Sequence, residues 1–130
     1  MGIERRILRS LELSGGAAAS NIGDIAFTNL PYITDAGTSC GANFVNAGSS
    51  AALDGVTIVE GHEYAETLSD QNPGGGWINF SSGEENGDEC AWISSGQGAS
   101  ANVRMGNGTY AMQSTWSNDT NRCDISHAIK

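Results

Sequence analysis

Apolar and polar positions fall into three textures along this chain. Residues 1–20 open with MGIERRILRSLEL, where Ile3, Ile7, Leu8 and Leu11 recur at helical spacing among basic residues. SGGAAAS then reads as a flexible joint. The spacing predicts a leader- or tag-like helix that stands apart from the rest of the chain. From Asn21 to residue 130 the pattern is that of one folded domain. DIAFTNLPYI, residues 24–33, has β-type residues and a Pro near its end, and reads as a strand near a sheet edge. Residues 34–50 are rich in Gly, Ser and Asn and read as a loop.

Residues from about 50 to 69 predict the long helix of the domain. Val56, Ile58, Val59, Ala65 and Leu68 supply its apolar stripe. Gly55 and Gly61 each lower its intrinsic propensity by about 1 kcal/mol relative to Ala. The second of these is expected to let another backbone approach just before His62. Pro73 and Gly74, Gly75 and Gly76 end the helix. Beyond them, residues 77–80, 89–93, 100–105 and 109–116 read as short strands between Gly/Ser/Asn turns. The expected fold class is therefore α+β and loop-rich, with one helix packed on a small antiparallel sheet.

Composition narrows the function. Six basic against fifteen acidic residues give a formal charge of −9, which repels nucleic acid and anionic membranes alike. No run approaches the roughly 18 apolar residues that span a bilayer. Only 16% of the residues are charged, and polarity is carried by Gly, Ser, Asn and Thr, an extracellular accent. The opening lacks a continuous apolar run of secretory-signal length, so a secreted domain would take its signal from outside this sequence. Cys40, Cys90 and Cys123 allow one disulfide with one thiol left over, or three reduced thiols. Cys90 and Cys123 sit in polar, Gly/Asn/Asp-rich surroundings where buried thiols are unexpected, which favours their pairing. Asn79, Asn107 and Asn118 each begin an N-glycosylation triplet, a pattern that also arises by chance in such sequence.

The sharpest chemical signal is His62-Glu63-Tyr64-Ala65-Glu66 on the predicted helix. Residues four apart share a helical face, so His62 and Glu66 can converge on one ion. Glu63 lies about 100° around the helix, where it can address a metal-bound water. The frame is that of H-E-x-x-H with its second His replaced by Glu, and catalytic zinc generally keeps three protein ligands and a water. A plain surface helix would also carry these residues. Glu84-Glu85-Asn86-Gly87-Asp88-Glu89 reads either as a solvated acidic turn or as the source of a further carboxylate ligand. It lacks the ligand ladder of an EF-hand. Asp70 is a further ligand candidate or a cap of the segment around Pro73. His127 is a ligand, an oxyanion donor or a surface residue. No G-x-S-x-G elbow, C-x-x-C pair or phosphate-binding loop occurs.

GTSCGANFVN (37–46), DGVTIVEGHEYAETLSDQNPGGGW (54–77), ENGDECAW (85–92) and AMQSTWSNDTNRCDISH (111–127) together resemble a known group. They are similar to the C-terminal half of secreted actinobacterial proteins classed as H-E-x-x-E zinc metallopeptidases. More distantly they resemble plant phosphate-induced (exordium-like) secreted proteins. The resemblance implies a zincin-like helix with His62 and Glu66 as Zn²⁺ ligands and Glu63 as general base. It also implies that Glu85 or Asp88 completes the metal shell, and it supports the Cys90–Cys123 pairing. Family chains are longer ahead of the part equivalent to Asn21. The resemblance thus implies a shortened domain whose cleft is either incomplete or completed by a second copy. The expected function is a secreted zinc peptidase acting on peptide or protein, with His127 as oxyanion donor. The competing expectations are a non-catalytic secreted module with a structural metal that binds glycan or cell-wall partners, and an inactive remnant.

Overall fold

The computed structural model describes residues 30–70 and 75–126. The leader-like opening, most of the expected first strand, Pro73 and His127 lie outside the described residues. Two 3₁₀ segments, Ile33–Cys40 and Ser49–Leu53, lead into helix α1 (Asp54–Ser69). After a short 3₁₀ turn, Asp88–Cys90, come strands β1 (Ala101–Met105), β2 (Gly108–Met112), β3 (Thr115–Ser117) and β4 (Arg122–Asp124). The described fold is α+β.

The helix begins four residues later than its sequence suggests, because residues 49–53 form a tighter 3₁₀ turn first. Asp54 anchors the junction. Its carboxylate accepts the Val45 and Asn46 N–H groups at 2.9 and 2.7 Å and the Asn46 side-chain amide at 2.7 Å. Burial alone would raise its pKa, but these three donors outweigh burial and hold it below the ordinary carboxylate range.

The buried face of α1 differs from the expected stripe. Ile58 and Val59 are buried, whereas Leu68 is 69% exposed, and the C-terminal half buries His62, Glu63 and Glu66 instead. Close backbone approach occurs at Gly55, where a Cβ would lie 1.8 Å from the Cys40 carbonyl oxygen. At Gly61 the neighbour is the Met112 thioether, a side chain and not the expected backbone. Ile33, Cys40 and Val59 form the apolar core, flanked by Leu30, Val56 and Trp92. Phe44 meets Trp92 edge-on at 5.4 Å, within the favoured range for aromatic pairs.

Among the described residues the expected single sheet is two separate two-stranded sheets. β1 pairs antiparallel with β2 from Ala101 opposite Met112 to Met105 opposite Gly108, so Gly106 and Asn107 make a two-residue hairpin turn. β3 pairs with β4, a strand that the polar sequence does not announce. The reading of 109–116 as one strand fails at Gln113 and Ser114. Both are buried, and their side chains bond to main-chain carbonyls of other segments, which interrupts the ladder. Helix α1 packs on β2, where the Thr57 hydroxyl donates to the Ala111 carbonyl.

The expected strands at 77–80 and 89–93 are absent, and the described end of the first expected strand, residues 30–33, is not strand. Ile33 opens a 3₁₀ segment and points into the core, with Gly37 kinking that segment at φ 56°. Residues 77–80 run irregularly into a turn in which the Asn79 carbonyl accepts the Ser82 and Gly83 N–H groups. Residues 89–93 leave the 3₁₀ turn at Trp92 with φ 59°, incompatible with a strand. That turn is tied down by the Cys90–Cys123 disulfide, as the cysteine contexts suggest, while Cys40 is buried outside it. A disulfide is compatible with an extracellular setting. No helix among the described residues is long and apolar enough to cross a membrane.

Candidate metal centre

Three segments meet beside the buried half of α1. The helix supplies His62 and Glu66, whose four-residue spacing puts His62 Nε2 3.0 Å from Glu66 Oε1. The 3₁₀ turn supplies Asp88, with Oδ1 3.4 Å from the same nitrogen. One donor atom from each of the three residues falls within a sphere of mutual distances no longer than 4.8 Å, so together they could hold a metal ion. One imidazole nitrogen and two carboxylate oxygens are the donor types that Zn²⁺ takes.

The turn is held against the helix by its own main chain. The Asp88 N–H donates to Glu66 Oε1 at 3.2 Å, and the Glu85 N–H donates to Asp88 Oδ2 at 3.4 Å. Gly87 lies against the pair, since a Cβ there would stand 2.9 Å from Glu66 Oε1 and 3.1 Å from His62 Nδ1. Between the two acidic candidates the structure brings Asp88 to the cluster. Glu85 is not in the donor group, and its backbone orients Asp88 instead.

The third segment has no motif to announce it. Gln113, at the break between β2 and β3, is buried and places Oε1 3.2 Å from His62 Nδ1. Its amide nitrogen donates to the Gly87 and Ser114 carbonyls at 2.8 and 3.2 Å. With its N–H₂ spent on carbonyls, Gln113 must present oxygen to the ring. His62 Nδ1 therefore carries a proton, and Nε2 is the nitrogen that faces Glu66 and Asp88. A hydrogen bond of this kind fixes the tautomer and the ring plane of a metal-binding histidine. The only sequence signal is Gln113 as a polar residue in an otherwise half-buried strand pattern.

The remaining candidates take other places. Glu63 is buried on the same helical turn, outside the three-residue donor group. Asp70 is buried and accepts the Gly75 N–H at 3.1 Å. His127 lies outside the described residues. Two glycosylation triplets start at engaged asparagines, since Asn79 donates to Glu89 and Asn118 accepts from two tryptophans.

In the metal-free protein a proton does the neutralising. Burial by itself pulls the His62 pKa below its usual 6.5. Hydrogen bonds to Asp88 and Glu66, and then their charges, outweigh burial and push it up to about 10. The Asp88 carboxyl is burdened by burial but held below its ordinary value by the hydrogen bond and charge of His62. Because the folded His62 pKa is raised, its contribution to stability is fully present below the unfolded value of 6.5 and disappears as pH climbs through about 10. Metal binding runs the other way. A metal must displace the Nε2 proton, so affinity is expected to rise about tenfold per pH unit between pH 7 and 9. Zinc titrations at fixed ionic strength check this, and a flat profile would show that His62 does not give up a proton to the ion.

No protein-family model matches this chain, and it matches no curated protein and no solved structure.

Proposed function

We propose that this protein is a secreted zinc-dependent hydrolase, and that its substrates are peptides or proteins. The observation that carries the reading is the set of His62, Glu66 and Asp88 with the imidazole tautomer preset by Gln113. In this reading His62, Glu66 and Asp88 would hold Zn²⁺. The ion would supply a water acidified toward a pKa of about 7. Glu63, one residue along the helix from His62, would be the general base that takes a proton from water and returns it to the leaving amine. The kinship with H-E-x-x-E metallopeptidases, the zincin-like description of α1 and the oxyanion role of His127 belong to the same proposal. It is supported by the ordered motifs and by a buried donor cluster in the frame they define.

Glu63→Gln tests the assignment. The variant is expected to keep one equivalent of zinc and to lose peptide hydrolysis by roughly 10²–10⁴-fold. Unchanged turnover would remove Glu63 from the base role.

A second reading, a non-catalytic module with a structural metal, is favoured by one observation. Gly87 packs directly over His62 and Glu66, which encloses the donor cluster on that side. The two readings differ in coordination, because a catalytic ion keeps an exchangeable water and a structural one is closed by protein. The visible spectrum of the Co²⁺-loaded protein, with and without added azide, separates them: an azide-dependent change supports the hydrolase.

A further inference from the structure

Glu89, the residue after Asp88 in the 3₁₀ turn, lines a groove of about 530 Å³. Trp77, Phe80 and Trp116 line it together with Asn79, Asn118 and Glu89. Phe80 is 93% exposed, an uncommon setting for a large apolar side chain flanked by other aromatics.

The rings are also held in place. Asn118 Oδ1 accepts both indole N–H groups, from Trp77 at 3.2 Å and from Trp116 at 3.1 Å. One acceptor thus pins the polar edges of two tryptophans, the first of them 41 residues away in sequence. What the pair offers a ligand is ring surface. Beside it, Glu89 is fixed by the Asn79 amide and the Ser82 hydroxyl. Preset aromatic surface next to amide and carboxylate groups is the composition of a small-molecule site and not of a bare apolar patch.

We infer that this groove is a binding site for a neutral saccharide. A pyranose presents aliphatic C–H faces that lie on aromatic rings, and a rim of hydroxyls that need donors and acceptors such as the Asn118 amide N–H₂ and the second carboxylate oxygen of Glu89. An anionic ligand is disfavoured, because the ionisable lining residue is acidic and the chain carries −9. An extended peptide is disfavoured too. The Trp116 backbone N–H that an added strand would use already donates to the Asn86 carbonyl at 2.9 Å. The volume suits one to two sugar rings. None of the lining residues belongs to the donor cluster, so sugar binding here does not depend on the metal.

The test uses the three tryptophan indole N–H signals in ¹⁵N-correlated NMR spectra of the metal-free chain, titrated with chitotetraose and cellotetraose. The Trp77 and Trp116 signals are expected to shift and saturate with at least one sugar while that of Trp92 stays still. Phe80→Ala is expected to weaken this binding about tenfold with an unchanged thermal midpoint. The inference is overturned if neither sugar gives saturable shifts at millimolar concentration, if Trp92 moves equally, or if Phe80→Ala binds like the parent. A saturable response confined to an extended peptide would likewise overturn it.

Discussion

His62→Ala is expected to abolish stoichiometric zinc binding and to lower the stability of the metal-free protein. The first effect stems from donor chemistry. Without the imidazole, Glu66 and Asp88 offer only two oxygens, a set that Zn²⁺ binds poorly against water and buffer. The second stems from charge. The protonated ring sits 3.0 and 3.4 Å from two carboxylates, and its removal leaves like charges facing each other, with the Glu66 side chain only 9% exposed. Stranding a buried charge costs about 3–5 kcal/mol, and the 30% exposure of the Asp88 side chain pulls this case toward the lower end. Gln113→Ala should fall between parent and His62→Ala, with zinc affinity reduced about 10–100-fold as the ring loses its fixed tautomer. Metal analysis after dialysis and urea unfolding of each variant provide the check. A His62→Ala protein that still holds one equivalent of zinc would overturn the whole site.

Loss of the disulfide is expected to be the other large effect. Cys90 and Cys123 are 33 residues apart, and closing a loop of that size contributes about 3–4 kcal/mol through the unfolded chain. The local consequence is sharper than the global one. Cys90 ends the turn that begins at Asp88, so the bond to β4 also holds the third donor at the helix. The Cys90→Ala/Cys123→Ala protein should therefore lose stability by that amount and bind zinc at least tenfold more weakly even where it is fully folded. Chemical unfolding and zinc titration of the double variant measure the two separately. Full zinc affinity at reduced stability would show that the turn keeps its shape unaided.

Legibility of this fold in its sequence tracks how local each feature is. His62 and Glu66 are visible because helical spacing alone makes them neighbours. The choice of Asp88 over Glu85 depends on a three-residue turn clamped from β4, 33 positions away, and no local pattern encodes it. Gln113 is hidden for a related reason. Its value comes from His62, 51 residues upstream, and from the Gly87 carbonyl, 26 upstream. The strands expected at 77–80 and 89–93 rest on aromatic and apolar residues that serve other ends: Trp77 shares Asn118 with Trp116, and Cys90 is spent on the disulfide. Leu68 has the helical spacing of a core residue, yet the helix turns its ionisable face inward there. The helix and the hairpin at residues 101–112 come through because each is stabilised within a short stretch of chain.

The buried Cys40 beneath Gly55 has a consequence for how the chain reaches its native state. In the unfolded chain Cys40, Cys90 and Cys123 are equally exposed, and only one of their pairings is native. During synthesis Cys40 and Cys90 emerge first and can oxidise together before Cys123 exists. A chain caught in that pairing cannot seat the Cys40 carbonyl against the helix, so its core stays open until a thiolate exchange frees it. Helix and hairpin form in microseconds, whereas reshuffling takes seconds to hours. Oxidative refolding should thus be paced by sulfur chemistry, and Cys40→Ser should speed it by removing the competing partner.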